Sequence, residues 1–314
     1  MNVINPLNKI NRLNMVNLSN QIGNTKELFK NLGISKTVLS EKQRSFLNEK
    51  GYLILKPTKF IRENLRKINE ITNSLIKSEK EKGGWEGKEK NYKKGKLFEN
   101  NCDRLGNLID KDPVFGKLIL IPEILSAAYE VIQDDIKVGG LNFRNPHKGF
   151  GEQALHIDYL PRQHEEEKFH GVVCYIYLDD SKKENGATRI IPESHRKIGW
   201  PDDYINTNIQ HKDEVRAVTE AGSIVILNLN TWHAGAKNIN GEPRKTIFVQ
   251  IKNREEGQLL NYKKFLSTKT KTNLNEAQKY LLAVRDIDPT QQEDSVSVGQ
   301  IYRDQFGKDR GAIK

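Results

Sequence analysis

Residues 223–233 read SIVILNLNTWH, a run of aliphatic and β-branched residues that becomes polar and ends in a histidine. Short apolar runs of this composition are typical of strands that are buried on both faces. Such a strand would carry His233 to a position just past its C-terminal end. A histidine beside a tryptophan is more often a packed core residue than a metal ligand. The rest of the sequence therefore has to decide its role.

Similar short runs lie on both sides of this stretch and predict a mainly β protein. They cover residues 137–143, 153–158, 171–178, 188–191 and 246–252. Most are apolar at both odd and even positions, so both faces of the strands should be buried, which favours the two packed sheets of a jelly roll over one open sheet. Helical patterns flank the strands, beginning at a capping box at residues 40–43 and recurring at residues 61–82, 122–133 and 275–285.

The ends of the chain differ in composition from its middle. Asparagine occupies every third position from Asn2 to Asn20, and no acidic residue precedes Glu27. We expect a low-complexity N-terminal tail over residues 1–39, a single domain over 40–254, and a helical C-terminal extension over 255–314 that acts as a lid or cover. An acid-poor beginning is also compatible with an organelle transit sequence.

Charge and cysteine content narrow the class of protein. With only Cys102 and Cys174, a disulfide framework is not expected, which favours a reducing, cytoplasmic location. No run of about 18 apolar residues suggests a membrane span. The net charge of +10 could attract nucleic acid, an anionic membrane or an anionic small substrate. Because the lysines are spread and form no arginine-rich stripe, we expect neither a nucleic-acid nor a membrane partner.

The stretch ALHID at residues 154–158 is the strongest candidate for a metal site. Alternate side chains of a strand share a face, so His156 and Asp158 should project together. Two other pairs, at 211–213 and 164–166, have comparable spacing but lie in polar, solvated stretches, so location favours the first pair. With His233 it would complete a facial triad of two histidines and one carboxylate, the ligand set of non-haem iron(II) oxygenases.

Arg244 follows His233 by eleven positions (244 minus 233) and opens the next predicted strand. The turn residues 237–243 should form a hairpin that returns Arg244 alongside His233. A guanidinium there offers a planar, two-pronged donor suited to a dicarboxylate. Taken alone, Arg244 would be interpreted as a surface charge at a strand edge.

In this order, the motifs resemble those of the phytanoyl-CoA dioxygenase family of iron(II)- and 2-oxoglutarate-dependent oxygenases. The resemblance spans roughly residues 40–252 and rests on four blocks: GYLIL at 51–55, QALHID at 153–158, ENGATRIIPESHR at 184–196, and the spacing from His233 to Arg244. It implies a double-stranded β-helix, a cupin-like jelly roll, in which His156, Asp158 and His233 bind Fe(II). Arg244 would anchor the far carboxylate of 2-oxoglutarate, and O2 would be the oxidant.

The resemblance also implies secondary contacts to the co-substrate from Gln153, Thr188 and Asn142. Gly235 stands where relatives often carry a hydroxyl, so that contact is expected to be absent or supplied by Thr246. The block at 184–196 is expected to be architectural, with its Asn185-Gly186 turn and with His195 fixing a loop rather than binding iron.

The activity that the resemblance implies is oxidation of an unactivated C–H bond. The carboxylate of Asp158 argues against halogenation, because related halogenases have a small residue there. Hydroxylation, desaturation and oxidative cyclisation all remain open. The basic balance of the chain favours a small anionic metabolite, bound by residues near the proposed mouth of the site: Arg104, Arg144, Lys148 and Arg162.

Two alternatives come from other classes of function. A non-catalytic, cupin-like binding protein would have the same sheets without needing the ligand geometry. An oxygenase acting on nucleic acid would use the positive charge for backbone contacts. The predicted convergence of two histidines and one aspartate distinguishes an oxygenase from the first alternative.

Overall fold

The computed structural model describes residues 21–86, 88, 92–95, 97–286, 302, 304–307 and 311. The asparagine repeat at residues 1–20 lies outside the described residues, as does much of the predicted C-terminal cover beyond residue 286. Among the described residues, no helix combines the length and the apolar character that a membrane span requires. Cys102 and Cys174 are both buried and free.

The described helices lie before and after a β-rich centre. They are α1 (Thr25–Asn31), α2 (Glu41–Lys50), α3 (Lys59–Glu79), α4 (Leu108–Lys111), α5 (Pro113–Leu118), α6 (Pro122–Ile132), α7 (Tyr262–Phe265), α8 (Thr268–Asn273) and α9 (Glu276–Leu281). Helix α2 begins at the predicted capping box, in which Ser40 accepts a hydrogen bond from Gln43 N while the Gln43 side chain accepts one from Ser40 N. It ends at Gly51, whose φ of 76° lies in the left-handed region.

Ordered structure begins earlier than the sequence predicts. Helix α1 lies within the stretch expected to be a low-complexity tail, and its Leu28 and Phe29 are buried in the same core as the central sheet. Asn24 caps the helix by accepting a hydrogen bond from Glu27 N. The asparagine bias ends at residue 20. Leu28 and Phe29 follow it, and burial of these two apolar side chains holds the helix against the core.

The strands form two antiparallel sheets, as predicted for a mainly β protein with flanking helices. They are β1 (Tyr52–Leu55), β2 (Cys102–Leu105), β3 (Ile136–Pro146), β4 (Gly171–Tyr177), β5 (Arg189–Ile190), β6 (Val215–Arg216), β7 (Ile224–Asn228), β8 (His233–Ala234) and β9 (Thr246–Asn253). The larger sheet has the order β1-β7-β4-β9-β3-β2, and the smaller sheet has the order β6-β5-β8.

Side chains of the larger sheet alternate between two cores. In β4, Val172, Cys174 and Ile176 belong to a cluster with the helices, whereas Val173, Tyr175 and Tyr177 belong to a second cluster with Ile190 of the smaller sheet. Helix α6 packs on the first face. Both faces are thus covered, which explains why the strands are apolar at both odd and even positions.

One predicted strand is wrong. Residues 153–158 form no ladder, and only His156 makes an isolated bridge, with His233. The physical reason is that their backbone donors go to separate segments: Ala154 N to Gly311 O, Leu155 N to Thr207 O, and Asp158 N to Leu229 O. The stretch is extended and fixed at nearly every residue, but it has no single partner strand.

Gly51 connects α2 to the loop that carries His233. Its carbonyl accepts hydrogen bonds from Asn228 N at 2.9 Å and from Thr231 Oγ1 at 2.7 Å. A Cβ atom at this position would overlap the His195 ring and lie 2.6 Å from Thr231 Oγ1. Position 51 therefore requires glycine, because φ is positive there and because a side chain would overlap its neighbours.

We predict that Gly51→Ala lowers the free energy of unfolding by about 3 kcal/mol or more, because left-handed strain is combined with a steric overlap. Gly33→Ala is the matched control, since Gly33 also has a positive φ of 71° but open space around a Cβ atom. It should cost only about 1 kcal/mol. Urea denaturation measures both, and equal losses in the two variants would contradict the role of the overlap.

Candidate metal centre

Reciprocal backbone hydrogen bonds place the two predicted histidines side by side. His156 N donates to His233 O and His233 N donates to His156 O, each at 3.0 Å. Directly paired residues of antiparallel segments project to the same face, so the two rings lie with centroids 4.5 Å apart. The Asp158 carboxylate completes the group, with Oδ2 3.5 Å from His233 Nε2 and Oδ1 3.9 Å from His156 Nε2.

One ligand atom from each of these three residues lies within 4.8 Å of the others. Both imidazoles are oriented by backbone carbonyls: His156 Nδ1 donates to Ala154 O and His233 Nδ1 donates to Thr231 O, each at 2.9 Å. A carbonyl can only accept, so these bonds place the proton on Nδ1 and leave the Nε2 lone pair facing Asp158. The tautomer is therefore the one that a metal ligand requires.

A cavity of about 600 Å³ opens at this cluster. Its inner wall comes from β3, β4 and β9, and the Asp158 side chain is 18% exposed toward it while the histidines are nearly buried. The residues that line it besides the three are Phe98, Glu99, Arg104, Gly140, Asn142, Arg144, Glu152, Gln153, Val173, Tyr175, Phe248, Gln250, Leu259 and Gly311. Of the expected co-substrate contacts, Gln153 and Asn142 are therefore on the cavity wall.

Arg244 lies buried at the start of β9 with an incomplete set of partners. Its Nε donates to Asn185 O at 3.2 Å, whereas Nη2 has no hydrogen-bond partner among the described residues. Within the described chain it forms no ion pair. Burial lowers the pKa of Arg244, and the nearby Tyr177 hydroxyl opposes this shift. A buried guanidinium without a carboxylate is costly, so an anionic partner from outside the chain would be stabilising.

The remaining polar groups expected near the co-substrate are engaged within the protein. Thr188 Oγ1 hydrogen bonds to the Tyr177 hydroxyl at 2.7 Å, and Thr246 Oγ1 donates to Arg244 O at 3.3 Å. Gln153 Oε1 accepts from Gly235 N at 3.0 Å. Thr188 and Thr246 thus lie near Arg244, and neither is on the wall of the 600 Å³ cavity.

The structure explains why residue 235 is glycine. A Cβ atom there would lie 2.6 Å from Gly151 O, 3.0 Å from Gln153 Oε1 and 3.2 Å from Arg144 Nη1. No hydroxyl-bearing side chain fits without displacing one of these groups. The guanidinium of Arg144 thus occupies space that a hydroxyl-bearing side chain at position 235 would need.

Arg144 and Arg104, two of the four expected substrate contacts, share one carboxylate at the cavity. Arg144 Nε donates to both oxygens of Glu99 at 3.0 Å, and Arg104 Nη1 lies 3.5 Å from Glu99 Oε2. Burial alone would raise the pKa of Glu99, but the hydrogen bonds and charge of Arg144 outweigh it and hold that pKa below its usual value. Glu152 and Asp158 add two further carboxylates to the wall, so Arg144 and Arg104 share Glu99 locally while the wall as a whole carries no surplus positive charge.

The other two expected substrate contacts lie elsewhere. Lys148 is exposed and packs its stem near Gly241 in the loop between β8 and β9. The hairpin predicted there does not form, because β8 belongs to the smaller sheet and β9 to the larger one. Arg162 is buried, donates to Arg196 O at 3.0 Å, and covers the Phe169 ring at 5.1 Å. Neither lines the 600 Å³ cavity. Sequence position alone could not separate them from Arg144, because Arg144, Lys148 and Arg162 all lie within 12 positions of His156 (156 minus 144).

The competing histidines do not assemble a comparable group. His211 and His164 pair loosely with their neighbours, at 3.8 Å from Asp213 and 3.6 Å from Glu166, and no third donor joins them among the described residues. His195 Nε2 hydrogen bonds to Asn48 O at 3.1 Å, so it fixes a loop as predicted. Burial lowers its pKa to about 4.

Several residues of the site were not expected from the sequence. Tyr175 and Tyr177 are two positions apart in β4, so their side chains share the face of the sheet that is turned toward the metal cluster. The two-residue period of a strand predicts this once one residue of that face is known. Gln250 follows the same logic on β9. Glu99 and Gly311 carry no comparable signal, because each reaches the cavity through a loop or terminal segment.

Solved structures share this fold. HygX from Streptomyces hygroscopicus, with nickel and 2-oxoglutarate bound, is similar with a TM-score of 0.53 and 15% identity, over 69% of this chain and 88% of that one. EctD from S. alaskensis, with 2-oxoglutarate and 5-hydroxyectoine, has a TM-score of 0.54 and 16% identity, over 70% of this chain and 78% of that one. The expected cupin-like jelly-roll class is thereby confirmed.

Curated proteins match a little less than half of the chain. The iron/alpha-ketoglutarate-dependent dioxygenase ausO of Aspergillus calidoustus is 31% identical over 154 residues, covering 46% of this chain and 51% of that protein. The ectoine dioxygenase of Bordetella bronchiseptica is 24% identical over 163 residues, covering 44% and 53%. The chain therefore spans about half the length of these relatives.

The family model described as phytanoyl-CoA dioxygenase (PhyH) matches residues 47–246 of the 314. This match extends from the end of α2 to the start of β9. It includes His156, Asp158 and His233, which line the cavity, and Arg244, which is buried near Arg144 of the cavity wall. The chain belongs to the phytanoyl-CoA dioxygenase family.

Proposed function

We propose that this protein is an iron(II)- and 2-oxoglutarate-dependent oxygenase that oxidises an unactivated C–H bond of a small, anionic metabolite. One observation carries the proposal: two histidines and one aspartate converge on a cavity, and Arg244, buried near Arg144 of the cavity wall, has a nitrogen without a partner among the described residues. A binding protein of the same fold would have no use for this combination.

The donor set fits iron(II). Two imidazoles and one carboxylate on one side of an ion leave positions open on the other side, which is the arrangement of non-haem iron oxygenases. His156, Asp158 and His233 would hold the ion, since their ligand atoms are already grouped and both Nε2 lone pairs are available. Asp158 fills the position that a halide would need, so we propose oxygenation or a related oxidation rather than halogenation.

The surroundings fit 2-oxoglutarate. Its far carboxylate would complete the partners of Arg244, whose Nη2 is otherwise unsatisfied. The Tyr177 and Thr188 hydroxyls lie beside this guanidinium and would border the same carboxylate. Gln153 and Asn142, on the cavity wall, are placed to contact the other end of the molecule.

When bound, iron and 2-oxoglutarate supply the oxidising power, through oxidative decarboxylation of the co-substrate by O2. The chain itself supplies position and exclusion of water. The histidine rings are fixed by backbone carbonyls, Tyr175 and Phe248 cover the cluster with apolar surface, and the substrate is oriented by the charged wall. Hydroxylation, desaturation and cyclisation all begin from this same placement of a C–H bond.

The charged wall supports an anionic substrate. Arg144 and Arg104 share Glu99, so a carboxylate or a similar anion on the substrate would give these two guanidinium groups a second anionic partner. The cavity of about 600 Å³ is a size that suits a small metabolite. Structural neighbours have been solved with ligands as different as 5-hydroxyectoine and hygromycin B, so the fold does not itself select the substrate.

The decisive test is anaerobic reconstitution with Fe(II) and 2-oxoglutarate, followed by succinate measurement after O2 is admitted. Wild type should develop the weak visible charge-transfer band of the chelate and form succinate. Asp158→Ala should lose both, with Fe(II) binding weakened at least about 100-fold, since losing even an outer partner of a ligand costs roughly 10–100-fold.

Asp213→Ala is the matched control, because Asp213 has the same spacing from a histidine but lies outside the cluster. It should behave as wild type. A wild-type protein that binds Fe(II) yet forms no succinate with any metabolite would support the non-catalytic binding protein instead. Salt-sensitive binding to oligonucleotides together with nucleic-acid-dependent turnover would support the alternative substrate class.

We predict that Arg244→Gln raises the KM for 2-oxoglutarate at least about 30-fold, because removing one partner of a buried charge pair costs about 2–5 kcal/mol. Fe(II) affinity without co-substrate should be unchanged. Lys237→Gln removes an exposed charge from the loop between β8 and β9, which also contains Arg244, and should leave the KM for 2-oxoglutarate unaltered. Steady-state succinate assays decide this, and an unchanged KM in Arg244→Gln would refute the assignment.

We further predict that Arg144→Gln abolishes the preference for anionic substrates. A panel of metabolites, each tested as the acid and as its neutral amide, should stimulate wild-type 2-oxoglutarate turnover mainly as acids. Arg144→Gln should raise the KM for the acids about tenfold or more, since Glu99 then faces the cavity with less compensation. Lys148→Gln, outside the cavity, should have no effect. Stimulation of wild type by neutral or cationic compounds alone would exclude an anionic substrate.

A further inference from the structure

The C-terminal part of the chain returns to the metal centre. Tyr302 is buried, packs edge-on against Trp200 with ring centroids 5.0 Å apart, and donates from its hydroxyl to Asp202 Oδ2 at 2.6 Å. Gln305 Oε1 accepts a hydrogen bond from Trp200 Nε1 at 2.7 Å. The Phe306 ring packs on the Tyr302 ring, with their centroids 4.7 Å apart. Apolar side chains of the ligand motif, Leu155 and Ile157, belong to this same cluster, so it anchors the end of the chain beside His156.

Gly311 lies directly against the first histidine of the metal cluster. Its carbonyl accepts a hydrogen bond from Ala154 N at 2.9 Å, and Ala154 O in turn accepts from His156 Nδ1 at 2.9 Å. The hydrogen bond that orients the His156 ring is therefore held in place by a residue near the end of the chain. Gly311 also lines the catalytic cavity, so it contributes to its wall.

A side chain at position 311 would be crowded and would strain the backbone. A Cβ atom would lie 3.1 Å from His156 Nδ1 and 3.4 Å from Cε1, and the φ of 73° is in the left-handed region. A larger side chain could be accommodated only if Gly311 moved off Ala154 or if the imidazole turned. Either movement would disturb the orientation of a metal ligand.

The second histidine is supported differently. Its carbonyl partner belongs to Thr231, which is fixed by bonds from its own N to Asn228 O and from Oγ1 to Gly51 O. These partners belong to the end of β7 and the α2–β1 turn, within the central domain. His156 and His233 thus have matching Nδ1 contacts but different supports, one of them at the end of the chain.

We infer that Gly311 is a positioning residue of the metal centre, and that docking of the described C-terminal residues, 302, 304–307 and 311, sets the affinity of the site for its divalent ion. The inference deepens the proposed function, because it rests on His156 being a ligand. It assigns the C-terminal segment a role in the metal site itself, in addition to the covering role expected from the sequence.

The test uses Co(II), a spectroscopic probe that binds without 2-oxoglutarate or O2, added to the full-length protein. Gly311→Val should weaken Co(II) binding about tenfold or more and alter the visible absorption of the bound ion, as expected when the support of a ligand is lost. Gly307→Val is the matched control: Gly307 has a positive φ of 64° in the same segment, but nothing lies within 4 Å of a Cβ atom there. Its Co(II) affinity and spectrum should match wild type.

Two further variants keep the test decisive if Gly311→Val misfolds. Gly311→Ala requires the histidine to give by only a few tenths of an ångström, so it should show a smaller shift of the same sign. Tyr302→Phe keeps the anchoring ring and should bind Co(II) nearly as wild type, whereas Tyr302→Ala releases the anchor and should weaken binding as Gly311→Val does. Thermal melting of each variant identifies a general loss of fold.

The outcomes separate the two hypotheses. If wild type binds Co(II) and turns over 2-oxoglutarate, but Gly311→Val and Gly311→Ala bind Co(II) with wild-type affinity and spectrum, the inference is overturned and the proposed function stands. Equal weakening by Gly307→Val and Gly311→Val would also overturn it, because backbone strain would then be the cause. If wild type fails to bind Co(II) at all, the proposed function and the inference both fail.

Discussion

The reciprocal hydrogen bonds between the backbones of His156 and His233 are the constraint on which the site depends. They join an extended segment, fixed residue by residue, to the short strand that follows the most buried strand of the larger sheet. Because paired residues of antiparallel segments share a face, this single bridge determines that both imidazoles point into one cavity. Asp158 needs only the two-residue period of extended backbone to join them.

Much of the surrounding structure fixes the two sides of that bridge. On the His233 side, the tight turn at Gly51 binds the loop after β7 through its carbonyl, and a side chain at Gly51 would occupy the space of His195 and Thr231. On the His156 side, the backbone bonds run to Thr207, Leu229 and Gly311, which belong to three separate segments. The ligand motif is therefore held by tertiary contacts rather than by a regular ladder, and its local order depends on distant parts of the chain.

The two buried arginines Arg144 and Arg244 differ in whether the chain supplies a carboxylate partner. Arg144 is compensated by Glu99, whose pKa stays below its usual value despite burial. Arg244 has a hydrogen bond from Nε but no carboxylate among the described residues, and burial lowers its pKa. The contrast matters because an uncompensated buried charge is unfavourable until a ligand supplies the counter-charge. Arg144 thus has its carboxylate partner within the chain, whereas we propose an external dicarboxylate as the partner of Arg244.

The sequence alone predicted the class of fold and the approximate positions of the main strands and helices, and it singled out His156, Asp158 and His233, which the structure brings together. These features are local: strand composition, the capping box at residues 40–43, and the spacing of His156 and Asp158. The hairpin predicted before Arg244 does not form, because β8 and β9 lie in different sheets. Only the tertiary structure decided which of four similar basic residues reach the cavity, because Arg144 and Lys148 differ by four positions in the chain and lie in different surroundings. It also decided that residues 153–158 form no strand and that Gly311 packs on His156. The physical reason is that hydrogen bonding and packing across large separations in the chain leave no periodic signal in sequence.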